Sequence, residues 1–347
     1  MPETIGWDLG GAHLKAARVD GHGRLEDVVQ VPCRLWQGMA EFDAAMAAVF
    51  ERLRPADNHA LTMTGELVDL FENRRQGVEA LIDRMAAALP GARLRIFAGR
   101  RGLLAPGEAR DAVVDVASAN WMASAALVAR RLGAGLFVDM GSTTTDIVPF
   151  RDGRVEARGR TDHERMLVEE LIYTGLTRTP VMAMARTMLI AGERAAPMAE
   201  YFATSADVYR VLGMLDESCD QHPAADNGPK TVLASARRLA RMVGRDVEEF
   251  DLAAWRGVAR DLAEGQLRLI HDGALRVLSA CPLGEAAPVV GAGVGRAVVC
   301  ALAGRLGRPY RDFAEIAEAG KGAGEEVAGW ASHCAPAVAV ALLGAED

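Results

Sequence analysis

One feature occurs twice in this sequence and constrains the fold more than any other. Residues 5–15, IGWDLGGAHLK, and residues 136–147, LFVDMGSTTTDI, each contain an apolar run, an Asp-x-Gly segment and a second run that returns to apolar residues. Short apolar runs of this kind are typical of strands, and the glycine between them indicates a hairpin turn. Two related hairpins in one chain predict two similar half-domains.

Each hairpin carries the parts of a phosphate site. Backbone N–H groups in a tight glycine turn can point together at a phosphate because no side chain blocks them. An Asp at the end of the preceding strand can hold a hydrated Mg²⁺ that bridges to the phosphate oxygens. We therefore predict Asp8 and Asp139 as magnesium ligands. The predicted phosphate-binding residues are Gly10, Gly11, Gly141, Ser142, Thr143 and Thr144.

The duplication makes this prediction specific, because a single Asp-Gly turn is more often only structural. Two such hairpins facing each other would hold a di- or triphosphate from both sides. A third glycine-rich turn, GAGVG, follows a strand-like run, and we expect its Gly291 and Gly293 to contact a phosphate or a nucleoside. It resembles a dinucleotide fingerprint but lies too near the C-terminus to open a Rossmann domain.

Length and composition are those of a compact enzyme. At 347 residues the chain exceeds a typical single core, so we expect two domains or large subdomains. The net charge of -8 argues against nucleic acid as a main partner. The five cysteines are scattered, which suits a reducing cytoplasm. We see no signal peptide, and the longest uncharged stretches are too short to span a bilayer, so we expect no membrane association.

Hydrophobic periodicity places these motifs on an alternation of strands and helices. Helices are predicted over residues 42–53, 118–132, 231–243 and 255–278, and strands over residues 60–64 and 94–98. Residues 288–296 predict a strand, a glycine turn and the start of another helix, and Thr161 and Glu164 predict a capping box.

The order of the three glycine-containing segments resembles the actin, sugar-kinase and Hsp70 superfamily, and the second hairpin is similar to that of its hydantoinase/oxoprolinase branch. Most closely, the chain resembles the proteins linked to tetrahydromethanopterin C1 transfer, a group that includes the archaeal methanofuran synthases. The segments that carry this last resemblance are residues 7–17, 62–67, 202–209 and 237–241. One difference is His13, where the resemblance leads us to expect Asn.

The resemblance implies an α/β fold of the actin-like (ribonuclease H-like) kind, a duplicated two-subdomain ATPase fold. We expect the first subdomain to cover residues 1–133, completed by the C-terminal helix at 334–347. The second would cover residues 134–333, with helical insertions after Thr161.

The resemblance also implies a reaction in which an aminomethylfuran diphosphate is joined to a tyramine- or tyrosine-type phenol and diphosphate is released. A furan-methyl carbon can leave diphosphate as a stabilised cation, so the enzyme must stabilise the departing charge and present a phenol oxygen. Mg²⁺ on Asp8 or Asp139, together with Lys15, would serve the first need. Glu66 is a candidate base for the phenol proton, and an exposed carboxylate in a turn is its equal rival.

Two further groups have open interpretations. We expect Lys230 and Arg238 to face the cleft, where they would hold a diphosphate or a carboxylate. The alternative is a solvated surface, which is usual for cations at i,i+4 such as Arg237 and Arg241. Asp207 belongs either to a substrate-lining loop or to a helix that is capped at Ser205. Cys219 with His222, and His333 with Cys334, have zinc-like spacing, but these distant half-pairs do not predict a metal site.

Three function classes remain open at this level. The first is the cytoplasmic transferase just described, with Mg²⁺ and small-molecule substrates. The second is an ATP-dependent small-molecule kinase or oxoprolinase-like hydrolase, and the third is a non-catalytic nucleotide-binding scaffold. ATP as a cofactor and assembly into a homo-oligomer stay open.

Overall fold

The computed structural model describes residues 1–319 and 324–347 and contains two main sheets that repeat one topology. The strands of the first sheet are β1 (Thr4–Leu9), β2 (His13–Val19), β3 (Leu25–Pro32), β4 (Asn58–Met63), β5 (Arg93–Phe97) and β6 (Leu103–Leu104). Those of the second are β7 (Gly135–Met140), β8 (Thr145–Arg151), β9 (Arg154–Val155), β10 (Leu171–Ile172), β13 (Val289–Ala292) and β14 (Tyr310–Asp312). A separate hairpin consists of β11 (Met188–Ile190) and β12 (Glu193–Ala195).

The two sheets have the same internal plan. In the first, β1 pairs with β2 in antiparallel and with β4 in parallel, and β4 continues in parallel to β5. In the second, β7 pairs with β8 in antiparallel and with β13 in parallel, and β13 continues in parallel to β14. The predicted pair of hairpins is therefore confirmed as the start of two similar half-domains, which is the duplicated actin-like α/β arrangement.

Helices cover and connect these sheets. The first half contains α1 (Met39–Arg52), α2 (Arg74–Ala88), α3 (Pro106–Asp111), α4 (Val113–Val116) and α5 (Asn120–Leu132). The second contains α6 (Asp162–Leu167), α7 (Val181–Met184), α8 (Ser205–Leu212), α9 (Val232–Arg241), α10 (Leu252–Ala280), α11 (Arg296–Arg305) and α12 (Phe313–Ile316). The chain closes with α13 (Glu325–His333) and α14 (Ala335–Glu346).

The last helix belongs to the core of the first sheet. Helix α14 is apolar and almost wholly buried, and it packs on β1, β4 and α5. Its approach to β1 is so close that a Cβ on Gly6 would clash with the Ala337 carbonyl. The C-terminal helix thus lies on the N-terminal sheet, whereas the division into subdomains at residue 133 stays a prediction.

The elements predicted from periodicity are present with shifts of a few residues at their ends. The capping box is confirmed, because Thr161 Oγ1 accepts from Glu164 N at the start of α6. Helix α2 lay outside the predictions, although its buried Val78, Leu81, Ile82 and Met85 have helical spacing.

No single helix in residues 1–319 and 324–347 is long and apolar enough to cross a membrane. The bent pair α13 and α14 meets that test only when its two helices are taken together, across an angle of 97°.

Candidate active site

The two hairpins face one cleft of about 310 Å³. The first hairpin lines it with Asp8, Gly10, Gly11, Ala12, His13 and Lys15, and the second with Asp139, Gly141, Ser142, Thr143, Thr144 and Asp146. The predicted metal ligands and phosphate-loop residues thus come together in one place, whereas their chemical roles stay predictions.

The hairpin registers place charged side chains opposite each other. Asp8 lies opposite Lys15 in the first hairpin, and the Lys15 Nζ is 3.4 Å from Asp8 Oδ2. Burial alone would lower the pKa of Lys15, but the negative charge of Asp8 and its neighbours raises it. Lys15 therefore remains a cation inside the cleft.

The second hairpin has a carboxylate where the first has the lysine. Asp139 lies opposite Asp146, an arrangement that is unfavourable unless a cation compensates it. Arg165 supplies that cation, since its Nη1 donates to Asp146 Oδ1 at 2.8 Å while its guanidinium stacks 3.7 Å above the centre of the Trp121 ring. The sequence predictions did not include Asp146 or Arg165 as site residues.

The cleft concentrates more negative charge than its lysine can neutralise. Burial, with the charges of Asp146 and Asp8, raises the pKa of Asp139 to about 7, and burial also raises the pKa of Asp8. The Oδ1 atom of Asp8 is buried and has no hydrogen-bond partner among residues 1–319 and 324–347. Carboxylate oxygens of this kind are the donors that Mg²⁺ prefers, so the residues present fit a magnesium ion.

A third cation, after Lys15 and Arg165, reaches the cleft from the segment after β10. The backbone N–H groups of Leu176 and Arg178 donate to the carbonyls of Gly141 and Ser142 at 3.0 and 2.9 Å. Gly175 makes this approach possible, because a Cβ there would come within 2.5 Å of the Thr143 nitrogen. The loop contacts place the Arg178 guanidinium in the cleft, where its Nη1 donates to Thr143 Oγ1 at 3.2 Å.

A buried hydrogen-bond chain holds that segment in place. Gln266 of α10 donates from Nε2 to the carbonyl of Gly175 at 2.9 Å and accepts from the hydroxyl of Tyr209 at 2.7 Å. Tyr209 lies in the segment 202–209, which carries part of the family resemblance. Through Gln266 it supports the segment that packs on the turn of the second hairpin.

The position of Glu66 matches neither of the two interpretations from the sequence, a base in contact with the phenol or an exposed carboxylate in a turn. It is 1% exposed, so the exposed carboxylate is wrong, yet it does not line the cleft. Its Oε1 accepts from the Ser118 hydroxyl at 2.8 Å, and Ser118 itself lines the cleft in a left-handed conformation with φ 51°. Burial raises the pKa of Glu66. Glu66 is thus connected to the cleft through Ser118, and its role as a base stays a prediction.

Asp162 also reaches this network. Its Oδ2 lies 3.1 Å from the Ser118 hydroxyl and 2.5 Å from the Arg74 Nη2, and it lines the cleft. The capping-box interpretation of this segment is correct for Thr161 and Glu164, but it gave Asp162 no part in the site.

The expectation that Lys230 and Arg238 face the cleft is corrected, since neither lines it. Arg238 is fully buried and forms ion pairs of 2.8 Å with Asp207 and 2.9 Å with Asp226. Lys230 binds the carboxylate of Asp220 at 3.2 Å and its backbone carbonyl. Both cations therefore already have partners within the protein.

Asp207 is likewise structural. Besides its ion pair with Arg238, it accepts from the backbone N–H of Thr204 as part of the capping box that begins α8. The substrate-loop interpretation is corrected in favour of the cap, although the N-cap residue is Thr204 rather than Ser205.

The third glycine turn packs behind the cleft instead of lining it. A Cβ at Gly291 would lie 2.6 Å from the Tyr310 ring, and one at Gly293 would clash with Asp139 Oδ1. Gly293 has φ 81°, a conformation that favours glycine. Gly291 thus allows a close approach to Tyr310 and Gly293 one to Asp139, which corrects the expectation that they contact a ligand in this cleft.

Aromatic side chains form the rim of the cleft. Trp36 and Tyr173 line it and are 39% and 55% exposed. The Arg178 guanidinium lies 5.5 Å from the centre of the Trp36 ring, and His222 stacks edge-on against His13 at 4.7 Å. Burial lowers the pKa of His13 to about 2, so it is a neutral side chain in the cleft.

Comparisons with known proteins agree with this fold. The model of the hydantoinase/oxoprolinase family matches residues 57–318. A solved nucleotide-free structure of acetone carboxylase superposes with a TM-score of 0.54 over 88% of this chain and 68% of that one, at 12% identity, which shows similarity of fold.

Two archaeal relatives carry the same name, (4-{4-[2-(gamma-L-glutamylamino)ethyl]phenoxymethyl}furan-2-yl)methanamine synthase. The protein from Methanocaldococcus jannaschii is 31% identical over 245 residues, which cover 70% of this chain and 72% of that protein. The protein from Methanococcus vannielii is 35% identical over 117 residues, which cover 33% of this chain and 51% of that protein. The chain therefore belongs to the hydantoinase/oxoprolinase family and shares the family of these archaeal synthases.

Proposed function

We propose that this protein is a transferase of methanofuran-type cofactor synthesis. It condenses an aminomethylfuran diphosphate with a tyramine- or tyrosine-type phenol and releases diphosphate. The name of the two relatives describes an ether between a phenol and a furan-methyl group, which is the bond that such a reaction makes. The observation that carries the proposal is a cleft in which two glycine turns, Lys15 and Arg178 converge beside a group of carboxylates.

The phosphate end of the substrate fits between the hairpins. Lys15 and Arg178 supply positive charge, and the glycine turns supply backbone N–H groups. Asp8 and Asp139 would hold a magnesium ion, which when bound neutralises charge on the departing diphosphate.

The reaction breaks the bond between the furan-methyl carbon and the bridging oxygen, and the electron pair leaves with diphosphate. Positive charge then develops on the methyl carbon and the furan ring. Asp8, Asp139 and Asp146 surround the cleft with negative charge that favours such a cation. The phenol oxygen forms the new carbon–oxygen bond.

The phenol proton leaves through Ser118 and Glu66. Ser118 lines the cleft and donates to Glu66 Oε1, so its oxygen can accept the phenol proton as its own proton passes to Glu66. Burial raises the pKa of Glu66, which makes it a better proton acceptor than an ordinary glutamate. Ser118 is then the residue that touches substrate, and Glu66 acts through it.

The rim supplies surfaces for two aromatic groups. Trp36 and Tyr173 present exposed ring faces next to the cleft, and ring stacking on such faces contributes about 0.5–1.5 kcal/mol beyond burial. The furan and the phenol are both planar rings that fit this environment.

The test is incubation with Mg²⁺ in two parallel reactions. One receives an aminomethylfuran diphosphate with and without tyramine or tyrosine, and the other receives ATP with and without the same phenols. We expect diphosphate release that requires the phenol and no ADP in the second reaction. Formation of ADP would instead support an ATP-dependent kinase or hydrolase, and no turnover of either substrate would support a non-catalytic protein.

A further inference from the structure

A second group of metal-binding side chains lies outside the cleft. The Sγ of Cys219 is 3.3 Å from Nδ1 of His333, and ligand atoms of Asp216, Cys219 and His333 all lie within 4.8 Å of one another. We propose that these three residues bind a zinc ion. The two sequence pairs with zinc-like spacing do not predict this group. The group takes Cys219 from one pair and His333 from the other, and Asp216 belongs to neither.

The separation of the donor atoms matches tetrahedral coordination. Zinc binds thiolate sulfur at about 2.3 Å and imidazole nitrogen at about 2.0 Å, so two such ligands at a tetrahedral angle lie roughly 3.5 Å apart. The observed 3.3 Å between Cys219 and His333 is close to that value. A hydrogen bond between the thiol and the imidazole would also explain this distance. It would not explain why the carboxylate of Asp216 lies beside both groups.

The local structure orients the three donors. Asp216 and Cys219 flank one turn, and Asp216 Oδ1 accepts from the backbone and the hydroxyl of Ser218 at 3.0 and 2.7 Å. His333 is the last residue of α13. The carboxylate and the imidazole are therefore fixed from two separate parts of the chain before any ion binds.

The site is buried on one side and open on the other. Cys219 and His333 are 2% and 6% exposed, whereas Asp216 is exposed. Asp216 and His333 line a cavity of about 470 Å³, which gives an ion a route from solvent and leaves room for water as a fourth ligand.

The donor set and the charges favour zinc over magnesium or calcium. Thiolate and imidazole are softer ligands than the oxygen donors that Mg²⁺ and Ca²⁺ require. Cys219 as thiolate and Asp216 as carboxylate balance the two charges of Zn²⁺. The nearby Arg296 opposes a cation, but its guanidinium is paired with Asp312 at 3.3 Å.

A zinc ion at this site would hold together two chain segments that lie next to the cleft. The turn that holds Asp216 and Cys219 continues to His222, whose Nε2 lies 3.1 Å from the Ala12 carbonyl in the first hairpin. On the other side His333 precedes Cys334, whose side chain is close enough to affect the pKa of Lys15. Zinc bound here would thus link the turn at 216–219 in the second half to both sides of the first hairpin.

The test uses the whole chain after removal of metal by a chelator. Zinc is titrated in competition with a chromophoric chelator, and cobalt(II) replaces zinc for absorption spectroscopy. We expect one tight zinc per chain and, with cobalt, a thiolate-to-metal charge-transfer band with the d–d absorption of a tetrahedral ion. Replacing a ligand should weaken zinc binding by at least about 100-fold, more than the loss of a supporting residue usually does.

The variants are Cys219→Ser, His333→Gln and Asp216→Asn, with Cys300→Ser and His271→Gln as matched controls elsewhere in the chain. Asp216→Asn is a surface change that keeps an oxygen for the turn, so it tests the site even if the buried variants fail to fold. The proposal is overturned if the wild-type chain takes up no stoichiometric zinc. It is also overturned if the ligand variants retain wild-type affinity, or if the cobalt protein lacks the thiolate band, as expected for an ion on the cleft carboxylates.

Discussion

The guanidinium of Arg178 donates a hydrogen bond of 3.2 Å to the hydroxyl of Thr143 in the turn of the second hairpin. It forms no ion pair with a carboxylate in the part of the chain that the structure describes, and it lies 5.5 Å from the centre of the Trp36 ring. Most other cations near the cleft already have carboxylate partners, as Arg165 and Arg74 do. The charge of Arg178 is therefore available to an anionic substrate.

Replacing Arg178 with Gln should weaken diphosphate binding by about 10- to 150-fold, because a hydrogen bond to a charged group contributes about 1.5–3 kcal/mol. The measurement is the rise in melting temperature that magnesium diphosphate produces, since a ligand that binds only the folded state stabilises it. Arg178→Lys should fall in between, because lysine keeps the charge but loses the planar fork. Arg186→Gln, at an exposed position, is the control. An unchanged shift in Arg178→Gln would remove this residue from the diphosphate site.

Replacing Asp139 with Asn should stabilise the metal-free protein at neutral pH. The pKa of Asp139 is raised from 3.8 to about 7, so the folded state holds this proton more tightly than the unfolded state does. The aspartate therefore costs stability as pH rises from about 4 to about 7, and the cost is constant above that range. Asparagine cannot ionise and avoids the cost.

The measurement is the free energy of unfolding in the presence of a metal chelator across this pH range. The difference between Asp139→Asn and wild type should be small at pH 4 and grow up to about pH 7. Asp152→Asn is the control, since Asp152 is exposed in a left-handed turn that asparagine also tolerates. A difference that does not vary with pH would contradict the raised pKa.

Glu66→Gln and Ser118→Ala should each lower kcat by on the order of 10²–10⁴, as expected for loss of proton transfer. The double variant should be little worse than either single one, because both changes interrupt one path. The defect should shrink at high pH, since a phenol of pKa about 10 then ionises without help. Glu72→Gln, an exposed glutamate nearby, is the control. Additive losses, or losses confined to KM, would show that the two residues do not act in one proton path.

Arg238→Ala should destabilise the fold by about 3–5 kcal/mol, because it breaks a buried ion pair and leaves Asp207 with the more distant Arg210, 3.7 Å away. Arg237→Ala changes a neighbouring exposed arginine, 3.6 Å from Glu248, and should cost no more than about 1 kcal/mol. Denaturant unfolding measures both. If Arg238→Ala is as stable as wild type but no longer responds to magnesium diphosphate, the original prediction that Arg238 binds substrate would be restored.

The sequence predicted those site residues that lie within one short hairpin. A strand, an Asp-x-Gly turn and a second strand lie within a dozen residues, so the positions of Asp8, Lys15 and Asp139 could be predicted. Helix α2 could have been predicted in the same way, because its buried residues have helical spacing. No physical feature of the sequence explains why it was not predicted.

The remaining site residues depend on contacts between distant parts of the chain. Arg178 reaches the cleft because Gly175 allows its segment to pack on Ser142, and nothing in the sequence around Arg178 marks that contact. For Arg238, the sequence showed a cation on a helix, but its burial depends on Asp207 and Asp226. Side chains that come from separate elements can be recognised only after the fold is known.

The transfer of an oxygen-18 label tests the proposed reaction most directly. The label is placed in the bridging oxygen between the furan-methyl carbon and the diphosphate, and the protein is incubated with Mg²⁺ and the phenol. If the two hairpins bind diphosphate as a leaving group, all of the label should appear in released diphosphate and none in the furan product. Release that requires the phenol, with the label in diphosphate, is the predicted result. Label retained in the furan product, or release of single phosphate groups, would show that the cleft cleaves phosphorus–oxygen bonds and would contradict the proposed transfer.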